Sequence, residues 1–386
     1  MNVKEMDEMY IANTYARFPL TLVSGKGSHV VDENGKDYID LASGIAVNTL
    51  GYCEEGLAKA ICDQAMTLQH TSNLYYTEPA AKLAKTLCER AGMKKVFFSN
   101  SGAEANECAI KAARKYAADK KGKDYYTIIT LKNSFHGRTI TNLAATGQDG
   151  FHDKFQPLTE GFEYLEVGNI EELENLVSAH KIAGIMFELV QGEGGVIPLE
   201  KTFVNKIKEI CEEKDILMIV DEVQTGNGRS GTLYSYMQYG INPDIVSTAK
   251  GLAGGLPIGA TMFSEKTKDV FAPGDHGSTF GGNLIACAAA NYILSQLTEE
   301  FLKDVSKKSK FIKDNLSAVE GIEGVTGMGL MLGITTKKPA GEVVKACQEQ
   351  GVLVIKAKDK VRLLPPLNIT MEDLEKALNV LKLAIK

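Results

Sequence analysis

Six short apolar, β-branched runs narrow the folds open to this chain more than any other feature. They are VFFS (96–99), YTIITL (126–131), AGIMFEL (183–189), ILMIVDEV (216–223), DIVSTA (244–249) and ATMF (260–263). None alternates apolar with polar residues, so each reads as a strand covered on both faces, as in a mostly parallel sheet. Helical patterns lie between them. The clearest is EANECAIKAARKYAADK (104–120), which closes on lysines and Gly122 as a helix end does. The combination predicts an α/β fold, a mostly parallel central sheet flanked by helices. The last hundred residues read differently, with a long helix from about Leu284, short strands in GLMLGI and GVLVI, and a final helix in MEDLEKALNVLKLAIK. Near the other end, HVVDENGKDYIDL reads as a hairpin turning at Asn34-Gly35.

Composition removes several function classes. Among 386 residues, 43 Lys and Arg face 49 Asp and Glu, a net charge of −6, and no basic tract could neutralise a nucleic-acid backbone. No stretch approaches the roughly 18 apolar residues of a membrane span, and the acidic first residues do not read as a signal peptide. The seven cysteines are widely spaced with no C-x-x-C pair, and no H-x-x-x-H occurs. Neither a disulfide framework nor a metal site is expected, and a reducing cytoplasm fits best. The 37 glycines exceed the usual share of about 7% and gather in a few short clusters, where chemistry should be sought.

Three of those neighbourhoods carry candidate groups. At Ser99-Asn100-Ser101-Gly102-Ala103-Glu104 a strand ends and an S-x-x-E capping box opens a long helix, whose free amides and positive dipole end suit a phosphate. Alone, the segment reads more readily as a well-capped strand-to-helix turn. Asp221 closes the ILMIV run, in the crevice where parallel sheets bind ligands. Buried there as an anion it needs a cationic partner, such as a protonated heterocyclic nitrogen, although an Asp can also simply cap the following turn. Lys250 lies between DIVSTA and GLAGGLPIGA. A lysine in a confined pocket can lose its proton and form a Schiff base with an aldehyde, whereas most lysines are merely solvated. Together a phosphate cradle, a strand-end acid and a glycine-framed lysine are the parts needed to hold pyridoxal 5′-phosphate. A competing motif is the G-x-G-x-x-G of Gly226 to Gly231, which alone would suggest an NAD-dependent oxidoreductase. The intervening DEVQT, the short spacing to Gly240 and the misplaced acid Asp244 oppose it.

The strings SNSGAEANECAIKAARKY, NSFHGRT, FELVQGEGGVIP, DEVQTGNGR, AKGLAGGLPIGA, GSTFGGNLIACAAA and VRLLPPL resemble those of class III pyridoxal-phosphate aminotransferases. The likeness runs from about Arg17 to Ile385. It implies a fold-type I transferase with a large cofactor-binding domain over 48–283 and a small α+β domain from both termini, 1–47 and 284–386. It also implies roles. Ser101, Gly102 and Ala103 would hold the phosphate, Phe135 would stack on the pyridine ring, Asp221 would pair with the ring nitrogen and Gln224 would contact the ring oxygen. Lys250 would bond the cofactor and then move the substrate proton. Thr279 would reach the phosphate of a neighbouring subunit's cofactor, with Ser278 beside it near substrate, so a homodimer with shared active sites is implied. Arg138 and Arg362 would bind substrate carboxylates, Glu193 would mask Arg362 when the amine donor has no carboxylate there, and Glu188 would be a supporting acid.

Within that family, SGIAVNTLG, SNLYYTEP and HGRTITNLAATGQ most resemble the members that act on N2-acetyl-L-ornithine, and the resemblance implies that compound as amine donor and 2-oxoglutarate as acceptor, a reaction of arginine biosynthesis. Ornithine, succinylornithine, succinyl-diaminopimelate and 4-aminobutyrate are the alternative donors. Two departures from the family pattern are visible. Gly51-Tyr52-Cys53-Glu54-Glu55 replaces a G-H-x-H-P, which puts the local turn in doubt, and Asn227 falls outside the positions assigned to chemistry.

Overall fold

The computed structural model describes residues 1–386. Its centre is a seven-stranded sheet in the order Lys95–Ser99, Gly259–Phe263, Ile245–Thr248, Leu217–Asp221, Ile182–Phe187, Thr127–Leu131, Phe162–Leu165. All six apolar runs lie in it. Gly259–Phe263 runs antiparallel to both neighbours, and the remaining adjacent pairs are parallel. The seventh strand, Phe162–Leu165, escaped the sequence reading because it is an edge strand, half-buried along most of its length, and carries no continuous apolar run.

The helix Gly102–Lys121 packs across this sheet through Ala105, Cys108, Ala109, Ala112 and Ala113, all fully buried. Such small side chains let the helix approach closely, and Gly184 below it has no room for more: a Cβ there would come within 3.0 Å of Ile219. The helix ends at Gly122, as predicted.

Both chain ends fold together. Leu22–Lys26, His29–Asp32 and Asp37–Asp40 form a sheet that continues into Val352–Leu353, with Ile39 paired in parallel to Val352. A second four-stranded sheet, Ile322–Met328, Met331–Thr336, Lys360–Leu363 and Ile355–Ala357, is antiparallel throughout. The early hairpin forms as expected but through a longer turn, because the Asp32 carboxylate accepts from the amides of both Asn34 and Lys36 at 2.9 Å. The unusual 51–55 segment is structural. Tyr52 donates its hydroxyl to Asp40 at 2.7 Å, and Glu54 caps the helix Glu55–Thr67 by accepting from the Leu57 amide. No helix is long and apolar enough to cross a membrane.

Candidate active site

A cavity of about 440 Å³ opens at the carboxyl ends of Leu217–Asp221 and Ile245–Thr248. Ser101, Gly102, Ala103, Phe135, Arg138, Asp221, Gln224 and Lys250 all line it. A larger recess of about 970 Å³ lies along the helices Glu55–Thr67, Glu78–Ala91 and Leu284–Gln296 and contains none of these groups. Convergent polar and titratable side chains, more than size, distinguish a site for chemistry.

At one end of the cavity the helix Gly102–Lys121 begins. Ser101 Oγ accepts from the Glu104 amide at 3.1 Å, while the Glu104 carboxylate reaches back to the amide and side chain of Asn100, both at 2.8 Å. The capping box is therefore displaced by one residue, and the first-turn amides of Gly102 and Ala103 have no partner within the helix. Gly102 is glycine chiefly because Val223 packs onto it: an added Cβ would lie 2.6 Å from Val223 Cγ1.

Asp221, 3% exposed, closes its strand in a dense polar network. Its Oδ2 accepts from Asn106 Nδ2 at 2.8 Å and faces His136 Nδ1 at 2.8 Å, and its Oδ1 accepts from the Val223 amide at 2.9 Å. It thus caps the turn and also faces the cavity. An ionised carboxylate offers about four lone-pair sites, so one remains for a ligand N–H. His136 and Asn106 were not singled out by sequence. A buried Asn among the alanines of the helix Gly102–Lys121 was the available signal. Next to this network Glu188 accepts from the Phe135 amide at 3.1 Å. Burial lifts Glu188 to about 7, with Asp221 adding to the shift and His136 and Lys250 opposing it.

Lys250 follows the strand Ile245–Thr248 with φ +44°, a left-handed conformation rare for a residue with a side chain. Burial lowers its amine below the ordinary lysine value and Arg362 pushes the same way, against Glu193, Asp221 and Glu188. An amine so placed is poised to act as a nucleophile or base. The glycines of 226–231 form an irregular turn that opens no helix, with Asn227, Arg229 and Ser230 buried, so the dinucleotide fingerprint has no structural counterpart.

The candidate substrate residues divide. Arg138 is exposed on the cavity wall, its guanidinium 4.3 Å from the Phe151 ring centroid and 5.7 Å from that of Phe135. Arg362, 2% exposed, stands behind Gln224 and off the wall. Its Nη1 donates to Glu193 at 2.5 Å and to Gln224 Oε1 at 3.3 Å, and its buried Nε–H has no partner. Burial works against ionisation of Glu193, but the Arg362 charge prevails and holds the carboxyl below its usual range. Ser278 accepts from Asn100 at 3.0 Å, and Thr279 is exposed; neither lines the cavity of its own chain.

The crevice at the strand ends joins free helix amides, a buried acid and a lysine whose amine is depressed by burial, a donor set suited to carbonyl–amine chemistry. Residues 10–385 match the class-III aminotransferases, and the chain belongs to that family. It is 49% identical over 381 residues to the acetylornithine aminotransferase of Haemophilus ducreyi, covering 98% of this chain and 97% of that protein. Among solved structures, the N-acetylornithine aminotransferase of Stenotrophomonas maltophilia superposes with TM-score 0.86 at 36% identity, covering 99% and 98% of the two chains. The ornithine aminotransferase of Toxoplasma gondii, whose active site is partially occupied by PLP, superposes with TM-score 0.93 at 31% identity over 99% and 93%. The fold is that of the fold-type I transferases.

Proposed function

We propose that this chain moves the terminal amine of N2-acetyl-L-ornithine to 2-oxoglutarate, giving N-acetyl-L-glutamate 5-semialdehyde and L-glutamate, in arginine biosynthesis. The observation that carries the reading is the contrast between the open Arg138 and the Arg362 closed by Glu193. Glutamate and 2-oxoglutarate bring two carboxylates and can use both arginines. Acetylornithine brings one, and a bare buried guanidinium beside its amine-bearing carbon would be an unmatched charge. The likeness to acetylornithine aminotransferases supports the same donor.

The donor set fits pyridoxal 5′-phosphate: unpartnered amides at Gly102 and Ala103, a spare acceptor on Asp221 and an amine on Lys250 that burial shifts below the ordinary lysine value. When bound, that cofactor supplies an aldehyde to exchange amines and a ring that withdraws electrons. Asp221 would accept from the ring nitrogen with His136 and Asn106 holding its carboxylate in place, and Phe135, anchored by Glu188, would cover one ring face. Gln224, turned toward Arg362, would meet the ring oxygen with its amide. Lys250 would take and return the proton at the substrate carbon that carries the amine. Ser278, half-buried, and Thr279, exposed, would serve the partner's site in a homodimer, Thr279 at the cofactor phosphate. Residues 48–283 would carry the cofactor, and the small domain of 1–47 and 284–386 would bring Arg362. Seven unpaired cysteines fit a cytoplasmic setting.

The test is a visible spectrum of the purified protein followed by rates with each donor. Absorbance from lysine-bound cofactor and a kcat/KM for acetylornithine about tenfold or more above ornithine, succinylornithine, succinyl-diaminopimelate and 4-aminobutyrate is expected, a gap of roughly 1.4 kcal/mol. A colourless protein that takes up no pyridoxal phosphate, or a preference for another donor, overturns the reading.

A further inference from the structure

We infer that Asn227 is a positioning residue for Lys250, clamping the strained backbone from which the lysine reaches into the cavity. The inference rests on Lys250 being the cofactor-binding lysine. Lys250 has φ +44° and follows Ala249 at φ −165°, ψ −137°. A side-chain-bearing residue in the left-handed region is strained and stays there only when its surroundings over-determine it. Two clamps flank it. Before the lysine, Asn227 Nδ2 donates to Thr248 Oγ1 at 2.9 Å and to the Ala249 carbonyl at 3.0 Å. After it, Thr49 Oγ1 donates to the Gly251 carbonyl at 2.7 Å.

The residue type follows from what the position asks. Asn227 has φ +56° itself, which asparagine tolerates better than most residues. It must also present two donors from one nitrogen within one short side chain. Aspartate lacks the donors, glutamine is a methylene longer, and glycine has the backbone freedom but no side chain. The position is 2% exposed, so the bonds meet no competition from water. Asn227 also lies on the turn that begins at Asp221 and passes Gln224, so one segment sets the acid, the amide behind which Arg362 stands and the clamp on the lysine.

The informative variants are Asn227→Gly, which keeps the backbone conformation and removes both bonds, and Asn227→Asp, which keeps the shape and places an acceptor against the Ala249 carbonyl. Three quantities are read in each: the rate at which protein stripped of cofactor takes up pyridoxal phosphate into its visible lysine-bound form, the steady-state kcat and KM, and the melting temperature. Displacing a reacting group by about 1 Å costs about a hundredfold. Both variants should therefore take up cofactor and turn over about tenfold to a hundredfold more slowly, with KM for 2-oxoglutarate within about threefold of wild type. Asn227→Gly taking up cofactor and turning over at the wild-type rate overturns the inference, as does a loss confined to melting temperature. A wild-type protein that takes up no pyridoxal phosphate would instead overturn the functional reading beneath it.

Discussion

Arg362 and Arg138 carry the same charge under opposite conditions. Arg362 is 2% exposed and tied to Glu193 at 2.5 Å, whereas Arg138 is exposed and rests on the Phe151 ring at 4.3 Å with no carboxylate partner. A guanidinium held by an ion pair becomes available only when that pair opens. One held by an aromatic face, worth roughly 0.5–1 kcal/mol at an exposed site, is available at all times. Under the proposed function, the difference teaches how one site would serve substrates with one and with two carboxylates: the charge that must sometimes be hidden is the one placed next to an acid.

The contrast can be broken or sharpened by substitution. On the proposed reading both arginines serve one reacting centre, so Lys250→Ala should lower turnover with every donor by about 10²–10⁴-fold or more through lost proton transfer, and no cofactor should be trapped by borohydride. Selective loss with one donor alone would mean the two substrates do not share that centre. Arg362→Lys should lower kcat/KM for glutamate by about 10–100-fold, the worth of a charged hydrogen-bond pair, while the acetylornithine half-reaction changes about threefold or less. Arg138→Lys should weaken both halves by about tenfold, because both substrates present a carboxylate there. Single-turnover traces that show equal losses for the two variants in both halves would erase the distinction between the arginines. Glu193→Gln leaves Arg362 unmasked and should slow the acetylornithine half by severalfold to tenfold while sparing the glutamate half.

The smallest effect expected concerns stability. Glu188 has a folded value of about 7 against 4.5 for an unperturbed glutamate. Below about 4.5 both folded and unfolded chains hold the proton, and between there and about 7 only the folded chain keeps it, so its contribution to stability falls as pH rises through that window. Glu188→Gln retains an acceptor for the Phe135 amide and removes the titration. Its denaturant midpoint relative to wild type should climb from acid to neutral pH and then level off; a constant difference would show that Glu188 ionises normally.

Much of this was legible because buried parallel strands are apolar throughout and stop abruptly at their functional ends. Asp221 and Lys250 are conspicuous for that reason, each a charge at the end of an apolar run. What stayed hidden was pairing across distance. His136 meets Asp221 over 85 positions and Asn106 meets it over 115, and nothing local to either residue announces the encounter. Asn227 looked peripheral because its neighbours in sequence are glycines, yet its contacts are with Thr248 and Ala249 on the adjoining strand end. Gly102, expected beside the phosphate, owes its residue type to Val223, which fills the space where a Cβ would go. The edge strand Phe162–Leu165 lacked the apolar continuity that marks the interior strands.

The joining of the two chain ends has a temporal side. Ser43 donates its hydroxyl to the Leu364 carbonyl, 321 positions further along. At a synthesis rate of about 5–20 residues per second, the early hairpin leaves the ribosome roughly 15–60 s before the strand that completes its sheet exists. Through that interval its open edge has no neighbour from its own chain. The nascent protein must keep that edge from pairing elsewhere until the last part of the chain, Arg362 included, has been made.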